Sequence, residues 1–579
     1  MKGTYTDTES NTLYPEVEDK IELSAGEDAL KILLDENFQV EWNSLYQSCH
    51  WATVFQTPNY TNAWYKLYKK QYIPILITSY RGNRVTGILN LCMNLKQLEI
   101  NGAGSTDAYY HTWLAEEYNK ESFIKSALHK VREHFPGYTI NLFQLPPHTP
   151  LKWLETDEQW RALTVLKSYD RPLVDLTHPE LSKLYTKKQF KENRNRLKRL
   201  GELTFEHVTC IDILSDMFDE MMDQYDFRKG ATLNMLPFRS DPQKKDFLLD
   251  LFKLKMLHVS VLKMNDKIVA SLIATIGKDR WVHGAGINTH APTFAAYSPG
   301  FTSFIMLAQQ LASAGYEMLD LSTGDQPYKQ RLANSEDQVY ALIIKSKAKS
   351  ILNVPNSIKK LINESALKIG IDYKSSRTRF RRSKKLMMEK WRLLSQQDFK
   401  TWLKEAVRDT LSREKEKIYK INTDNNRILS KSTYVNISQN NIKDLLNFTA
   451  GHTLKTRWEF LAEAMCRLEH GEHVFTYTEN GTLKACIWVS GATKKKNLYA
   501  SKLAYPTVGT VLNGLYFQPD YQNRLPMFLE AVCAKIKSNR PEEPIYVITS
   551  PTIAAFCAIM SNGVQQEEQK IIFDTAKSL

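Results

Sequence analysis

The chain switches repeatedly between runs of alternating polarity and runs in which apolar residues return every three or four positions. After Thr57, TPNYTNAWYKLYKK places Tyr60, Trp64, Leu67 and Tyr68 at helical spacing. YIPILITSYRGNRVTGILNLCMNL then reads as a hairpin, two strand-like runs around the turn signal Arg81-Gly82-Asn83-Arg84. LKQLEINGAGSTDAYYHTWL continues as a strand and a Gly/Ser loop, ESFIKSALHKVREHF as an amphipathic helix, and YTINLFQLPP as a buried strand. Together these predict a compact α+β unit ending near Pro150.

A second unit opens near Arg171. Its pattern predicts a basic helix over Ser182–Gly201 and further helices over Asp212–Lys229 and Asp241–Leu257. A strand-rich meander follows, HVSVLKMNDKIVASLIATIGKDRWVHGAGIN, with a turn at Asn265-Asp266. After the loop AYSPG, the pattern predicts a helix, FTSFIMLAQQLASAGY, stopped by Gly315. MLDLS and VYALIIKSK close the unit as strands. From about Ala348 to Ile421 strand patterning is absent, the stretch reads as helical, and Lys374–Arg392 crowds nine basic residues together. A third unit begins near Tyr434. It has a hairpin turned by Asn480-Gly481 in HVFTYTENGTLKACIWVS, strand candidates NLYASKLA and LNGLYFQP, the helix RLPMFLEAVCAKIK, the strand PIYVITS and a closing helix TIAAFCAIMSNG.

The expected fold class is therefore α+β, divided as 1–28 (a tail or single edge element), 29–170, 171–347, a basic helical linker 348–430 and 431–579. Helix–hairpin–helix–strand order recurs in all three units without a short sequence repeat. A length of 579 residues fits three or four domains of roughly 150 residues each. The 42% apolar and 24% charged composition is that of globular protein, not disorder. The seven cysteines are widely spaced with no C-x-x-C pair, which suggests neither a disulfide frame nor a zinc site. The polar N-terminus lacks a signal-peptide pattern, and no apolar run approaches the ~18–20 residues of a membrane span. A cytoplasmic protein is expected. The formal charge of +13 favours anionic partners without choosing among them.

Candidate chemistry concentrates between Trp281 and Asn334. Ala296-Tyr297-Ser298-Pro299-Gly300 leads into a helix, where unpaired N–H groups and the helix dipole can cradle a pyrophosphate. Pro299 suits the first turn, and Gly300 permits close approach. An ordinary helix cap has the same signature. One helix and one strand later comes Leu319-Asp320-Leu321-Ser322-Thr323-Gly324-Asp325-Gln326-Pro327-Tyr328-Lys329, a strand ending in a polar turn.

With Tyr297-Ser298-Pro299-Gly300 and Gly324-Asp325-Gln326-Pro327-Tyr328-Lys329 in this order, the chain resembles the tandem-GNAT acetyltransferases of the cellulose-biosynthesis (CelD-type, BioF-like) family. These are relatives of the Fem-type peptidoglycan aminoacyltransferases. The basic segment Lys187–Arg199 also looks like the family's segment before its second half. The resemblance covers roughly Glu41 to Lys347 and is clearest from Lys183 on.

It implies two GNAT-fold halves packed as one module, with acyl-thioester chemistry in the second. Acetyl-CoA or another acyl-CoA would lie against Tyr297, Ser298, Pro299, Gly300, Phe301 and Thr302, with no metal. A small-molecule amine on a sugar, cell-envelope precursor or metabolite would accept the acyl group; the alternatives are an aminoacyl-tRNA-dependent Fem-like peptidyltransferase and a non-catalytic GNAT-fold scaffold or binding protein. Such chemistry needs positioning, amine deprotonation and oxyanion stabilisation. Asp325 is the first candidate base, His283 the second, and Tyr328 a candidate acid for the thiolate. Asp325 can equally cap its turn, and His283 can be a satisfied strand histidine.

Lys329, Lys191 and Arg194 are candidate substrate contacts. Lys187, Lys191, Arg194 and Lys198 share a helical face, with Phe190, Leu197 and Leu200 on another. The basic face can be merely solvated, or meet cofactor phosphates, an acidic substrate or RNA, since Fem-type relatives use aminoacyl-tRNA as donor. Lys374–Arg392 is a second such patch, open to tRNA or an anionic surface.

The third unit also resembles a GNAT domain, with Phe517–Pro526 before its helix. Asn523, Leu525 and Pro526 stand where such domains carry glycines, so a degenerate domain without acyl-CoA binding is expected. Oligomeric state is not set by the sequence.

Overall fold

The computed structural model describes residues 19–346, 385–393, 417–421, 435–450, 455–491, 506, 508–549 and 564–566. Residues 20–344 build one thirteen-stranded mixed sheet. Its strands are β1 Lys20–Ala25, β2 Ile73–Arg81, β3 Arg84–Asn94, β4 Glu99–Gly102, β5 Leu114–Ala115, β6 Thr139–Leu145, β7 Thr164–Asp175, β8 Leu203–Val208, β9 Leu257–Met264, β10 Lys267–Ile276, β11 Trp281–His290, β12 Met318–Asp320 and β13 Ser335–Ile344. They lie in the order β1-β2-β3-β4-β6-β13-β7-β12-β11-β10-β9-β8, with β5 on β3.

The order has internal symmetry. β1-β2-β3-β4 is an antiparallel series that meets β6 in parallel, and β8-β9-β10-β11 is a matching series that meets β12 in parallel. The closing strands are exchanged. β7 follows β6 in the chain but pairs with β12, while β13, the last strand, returns to β6. β7 and β13 then pair along their length, from Ser335↔Leu173 to Ile344↔Thr164, at the centre of the sheet. The α+β class with helices flanking mixed sheets is the one expected.

Local signals act where the sequence places them. Gly82 turns the β2–β3 hairpin at φ 64°, and Asn265 and Asp266 turn β9 into β10 at φ 46° and 62°, the left-handed pair a tight hairpin needs. The Asp35 carboxylate accepts from Phe38 N–H at 2.8 Å and divides the first helical stretch into Glu27–Leu34 and Glu36–Ser48. Lys20–Ala25 is the edge-strand alternative to a tail.

Three expectations are corrected. The basic helix of 182–201 is two helices, Leu181–Thr186 and Lys188–Lys198, because Lys187 turns to an extended conformation (φ −51°, ψ 127°). Leu200, expected in its apolar seam, lies beyond the helix and is exposed, while Phe190 and Leu197 are buried. Lys417–Ile421, read as non-strand, is a strand of the second sheet.

That second sheet holds β14 Lys417–Ile421, β15 Ser438–Gln439, β16 His473–Glu479, β17 Thr482–Gly491, β18 Thr510–Phe517, β19 Ile545–Thr549 and β20 Val564–Gln566, in the order β15-β16-β17-β18-β19-β14-β20. It joins the first body through a shared core. Phe227, Ala231 and Leu236, from the helix Ile211–Leu233 and its end, pack with Leu445, Phe448, Phe460 and Leu461. Trp458 Nε1 donates to Ala231 O at 3.0 Å. The segments NLYASKLA and TIAAFCAIMSNG lie outside the described residues, as does most of 348–430. Of its basic cluster, 385–393 is helical, and Lys390 pairs with Glu459 at 2.7 Å.

Candidate active site

The parallel pairing of β11 with β12 lasts three residues, Trp281–His283 against Met318–Asp320. β12 then ends, whereas β11 runs on to His290, so a gap opens along Gly284, Gly286, Asn288 and His290. The register against β10 slips between Ile273 and Thr275, and Gly284 takes φ 56°, which bulges β11 at the mouth of the gap. A side chain at Gly286 would meet the Tyr109 hydroxyl at 1.5 Å, so only glycine fits there. Tyr225 OH donates to Gly286 O at 3.3 Å.

β11 alternates between two faces. Val282 shares a core with Leu272, Ala274 and the helix Pro299–Ser313. Ile287 shares the core that holds Ile273, Met221 and Tyr225, on the side of the helix Ile211–Leu233. Asn288 and His290 face the helix Pro299–Ser313, with the His290 ring 3.7 Å from a Cβ at Gly300, while the bulge turns Gly284 and Gly286 towards Tyr109 and His283 faces away from that helix.

The helix Pro299–Ser313 begins at this gap. Ser298 is left-handed (φ 50°, ψ 51°) and turns the preceding 3-10 segment Pro292–Tyr297 into it. A Cβ at Gly300 would meet just the His290 ring, at 3.7 Å, so the turn is open at Gly300, while Pro299, Phe301 and Thr302 are buried. Gly300 and Phe301 N–H have no intrahelical acceptor. Thr302 is fully buried and its Oγ1 has no hydrogen-bond partner among the described residues. A phosphorylated ligand approaching this turn finds unpaired donors, a site without an obstructing Cβ and an orphaned hydroxyl, so the residues present fit the pyrophosphate of an acyl-CoA. Arg331 lies over the Phe301 ring at 4.2 Å and donates to Gln189 Oε1 at 2.7 Å. Arg196 lies over Tyr297 at 4.9 Å. Burial lowers the His290 pKa to about 4, with the nearby Arg228 charge adding to it, so its ring is neutral.

Across the gap, the segment after β12 supplies Tyr328 and Lys329 on the short helix Pro327–Leu332. Tyr328 stacks on Phe304 at 5.2 Å and hydrogen-bonds Asn288, which also accepts from Arg228 Nη1. Burial raises the phenol's pKa above its ordinary value. Lys329 Nζ donates to Ser322 O at 3.1 Å and Thr323 O at 2.7 Å, and burial lowers it to about 8.

At the opposite mouth lies a buried polar network. Asp320 is fully buried and accepts from Ser322 N at 2.7 Å, His283 Nδ1 at 3.1 Å and the Tyr110 hydroxyl. Arg171 of β7 stands 3.7 Å from Asp320 and donates through Nε to Asp337 of β13 at 2.7 Å, with Nη2 bonding the same carboxylate. Burial opposes the Asp320 charge, but the His283 bond, the Arg171 charge and the Tyr110 hydroxyl together hold its pKa below the usual range. A cavity of about 200 Å³ adjoins it, lined in part by His50, His148, Trp281 and His283.

The same three-residue parallel pairing recurs twice. β4 pairs with β6 over Glu99–Asn101, and a Cβ on the next residue, Gly102, would lie 2.4 Å from the His111 ring. His111 is held by Ser105 O and Phe143 N–H, and the remaining void is about 10 Å³. β18 pairs with β19 over Thr510–Leu512, and Gly514 follows at φ 61°. There the Arg467 guanidinium stands 3.0 Å from a Cβ at Gly514 and bonds Asn513 and Glu472. His111 packs into the first gap, Arg467 into the third and Tyr109 into the second at Gly286; the second differs in also bordering the helix start at Gly300.

Of the expected residues, the structure brings Tyr297–Thr302, Tyr328 and Lys329 to one gap. Asp325 is exposed on the turn beside it. His283 is buried against Asp320 on the other face. Lys191 is exposed, and Arg194 lies over its own helix's Phe190 at 5.6 Å. Sequence reading missed Tyr109, Arg228, Asn288 and the Arg171–Asp320–Asp337 network. A visible signal existed for one of them, the carboxylate of Asp320 at an inward position of the apolar strand MLDLS. Among the described residues, no group of three or more His, Cys, Asp or Glu is placed to hold a metal, and no helix is long and apolar enough to cross a membrane.

Residues 185–330 match the family model "Acetyltransferase (GNAT) domain". No curated protein matches the sequence. Among solved structures, the chain is similar to the C-terminal domain of a putative lysylphosphatidylglycerol synthetase from Agrobacterium fabrum (13% identity, 58% of this chain and 97% of that one, TM-score 0.37). It is also similar to FemX (9%, 54% and 98%, TM-score 0.37) and to a tandem GNAT protein from the clavulanic acid biosynthesis pathway (9%, 56% and 98%, TM-score 0.34). These scores are too low to indicate an activity. The gap, the open helix start and Tyr328–Lys329 all fall within or at the border of the matched GNAT segment.

Proposed function

We propose that the GNAT domain at residues 185–330 transfers an acyl group from acyl-CoA, most simply acetyl-CoA, to the amine of a sugar, cell-envelope precursor or small metabolite. The observation that carries this reading is the helix start at Ser298–Thr302, which borders the gap that β11 leaves on outrunning β12. Bound there, the donor supplies an activated acyl carbonyl. The chain's own residues do the rest. Gly300 N–H and Phe301 N–H hold the pyrophosphate, with Thr302 Oγ1 behind them. Tyr328, protonated at neutral pH and fixed between Phe304 and Asn288, gives a proton to the departing thiolate. Asp325, exposed at the rim, takes the proton of an amine arriving from solvent. His283 is a positioning residue through Asp320, because its Nδ1 is committed and its ring faces the other side of the sheet.

Calorimetry with acetyl-CoA, CoA and longer acyl-CoAs tests the donor. Binding of CoA that is lost in Gly300→Val supports the reading. No binding of any thioester, together with tight tRNA binding, would replace it with aminoacyl transfer. Asp325→Asn is expected to cut turnover about 10²-fold or more while sparing CoA affinity, and an unchanged rate removes Asp325 from the mechanism. The third unit, whose gap Arg467 fills, is proposed as a domain that binds no acyl-CoA. Acyl-CoA bound at 521–527 would overturn that.

A further inference from the structure

The gap is approached by three cations from two elements. Arg228 and Lys229 come from the helix Ile211–Leu233, and Lys329 from the segment after β12. All three are half-buried or buried. Asn288 links the two elements: it accepts from Arg228 and bonds Tyr328, whose neighbour is Lys329. Lys229 Nζ lies 5.3 Å from the Tyr225 ring, and Tyr225 in turn bonds Gly286 at the gap.

None of the three has a carboxylate ion-pair partner among the described residues. Asp320, the acid that acts on Lys329, and Asp226, two residues before Arg228, are already engaged. Asp320 is bound by Ser322 N–H, His283, Tyr110 and Arg171, and Asp226 accepts from the N–H groups of Phe238 and Arg239. Arg228 has five N–H donors, of which one bonds Asn288, and its other nitrogens are not sealed off from solvent. Neighbouring cations here repel: Arg228 acts against the charge of Lys229, and Lys229 against that of Lys329. Such a cluster is costly unless an anion completes it.

We infer that the acyl acceptor carries, beside its amine, a carboxylate or phosphate monoester that Arg228, Lys229 and Lys329 bind. The donor's pyrophosphate already has its place at the Gly300 and Phe301 N–H groups, so the cations are left for a second anion. The helix Pro299–Ser313 packs on the Leu272/Ala274/Val282 face, whereas Arg228 and Lys229 come from the helix on the Ile273/Ile287 face. Arg228 nevertheless reaches across to bond Asn288 of β11, so an anion it holds sits at the gap itself, beside an acyl carbonyl held there, where the acceptor's amine must arrive. A planar guanidinium with free parallel donors suits two oxygens of one acid group. This assignment rests on the acyl-transfer reading for the acceptor role, but not for the anion site.

The test is calorimetry on the full chain without acetyl-CoA, using two matched probe pairs. Glucosamine 6-phosphate against glucosamine isolates the phosphate, and glycylglycine against glycylglycine amide isolates the carboxylate. The expected result is at least tenfold tighter binding of the anionic member of one pair, the pair that discriminates naming the acid. Arg228→Gln is expected to abolish that preference and leave the acetyl-CoA Kd within twofold. Lys229→Gln, which keeps the Asn288 bond, repeats the measurement should Arg228→Gln unfold. Equal binding within both pairs overturns the inference, as does a loss of acetyl-CoA affinity in either variant, which would give the cluster to the donor. Anion binding without any acetyl-CoA binding would sink the acyl-transfer reading and leave the anion site standing.

Discussion

Asp320→Asn is the most informative single perturbation of this fold. The substitution keeps shape and retains an oxygen for the 2.7 Å bond from Ser322 N–H. It removes the charge that Arg171, His283 and Tyr110 address in a fully buried position. A charge-assisted hydrogen bond contributes about 1.5–3 kcal/mol and a neutral one about half that. Arg171 keeps its two bonds to Asp337, so its charge is not orphaned. The expected loss is therefore about 3 kcal/mol, towards the lower end of the ~3–5 kcal/mol seen when a buried pair is broken. Tyr110→Phe removes one member of the same network and is expected to cost about 1.5–3 kcal/mol. The double variant should lose less than the sum, since both delete the same bond. Urea unfolding followed by tryptophan fluorescence measures all three, with Trp281 as a local reporter 5.2 Å from the Arg171 guanidinium. The direction of the Asp320 shift adds a pH test. A carboxyl held below its ordinary value contributes stability that is present at neutral pH and lost as pH falls below about 4 towards its folded value. The wild-type advantage over Asp320→Asn should shrink in acid. A loss under about 1 kcal/mol, full additivity with Tyr110→Phe, or an acid-independent difference would refute the account of this network.

Gly286→Ala should cost about 1–3 kcal/mol, because the new methyl group would lie 1.5 Å from the Tyr109 hydroxyl, and Tyr109→Ala in the same chain should recover most of it by thermal unfolding. Lys329 binds fewer protons folded than unfolded between about 8 and its ordinary 10.5, so stability relative to Lys329→Met should rise as pH climbs through that window; a flat difference would mean that the ammonium is not desolvated. Leu461→Ala, which hollows the core shared by the two sheets, should cost about 2–5 kcal/mol and raise hydrogen exchange in the helix Ile211–Leu233.

Hairpins and their turns were legible in sequence because the chemistry is local. Gly82, Asn265-Asp266 and Asn480-Gly481 take the left-handed angles that their residue types allow. The helix start at Pro299 was legible for the same reason. β7 was not. Its first half runs exposed, Leu166 and Tyr169 included, so neither alternation nor an apolar run marks it, although it lies at the centre of the sheet. The site was partly legible. Tyr328 and Lys329 follow a recognisable turn, but Arg228 and Tyr109 reach the gap from elements about 100 and 220 residues away in the chain. Asp325 and His283 look alike as candidates in sequence, and only the path of β11 and β12 separates an exposed rim carboxylate from a buried imidazole on the far face.

The exchange of β7 and β13 reaches beyond architecture into the order of events during synthesis. The first half's β6 finds its antiparallel neighbour in a strand that begins about 190 residues later. At 5–20 residues per second, β6 waits on the order of 10–40 s with an open edge. An exposed edge of this kind is a template for pairing with another nascent chain. A chain cut between the two halves is expected to give two unfinished sheets rather than two domains. The nascent first half is thus the stage at which this protein is most exposed to misassembly, and the stage at which a chaperone would be needed.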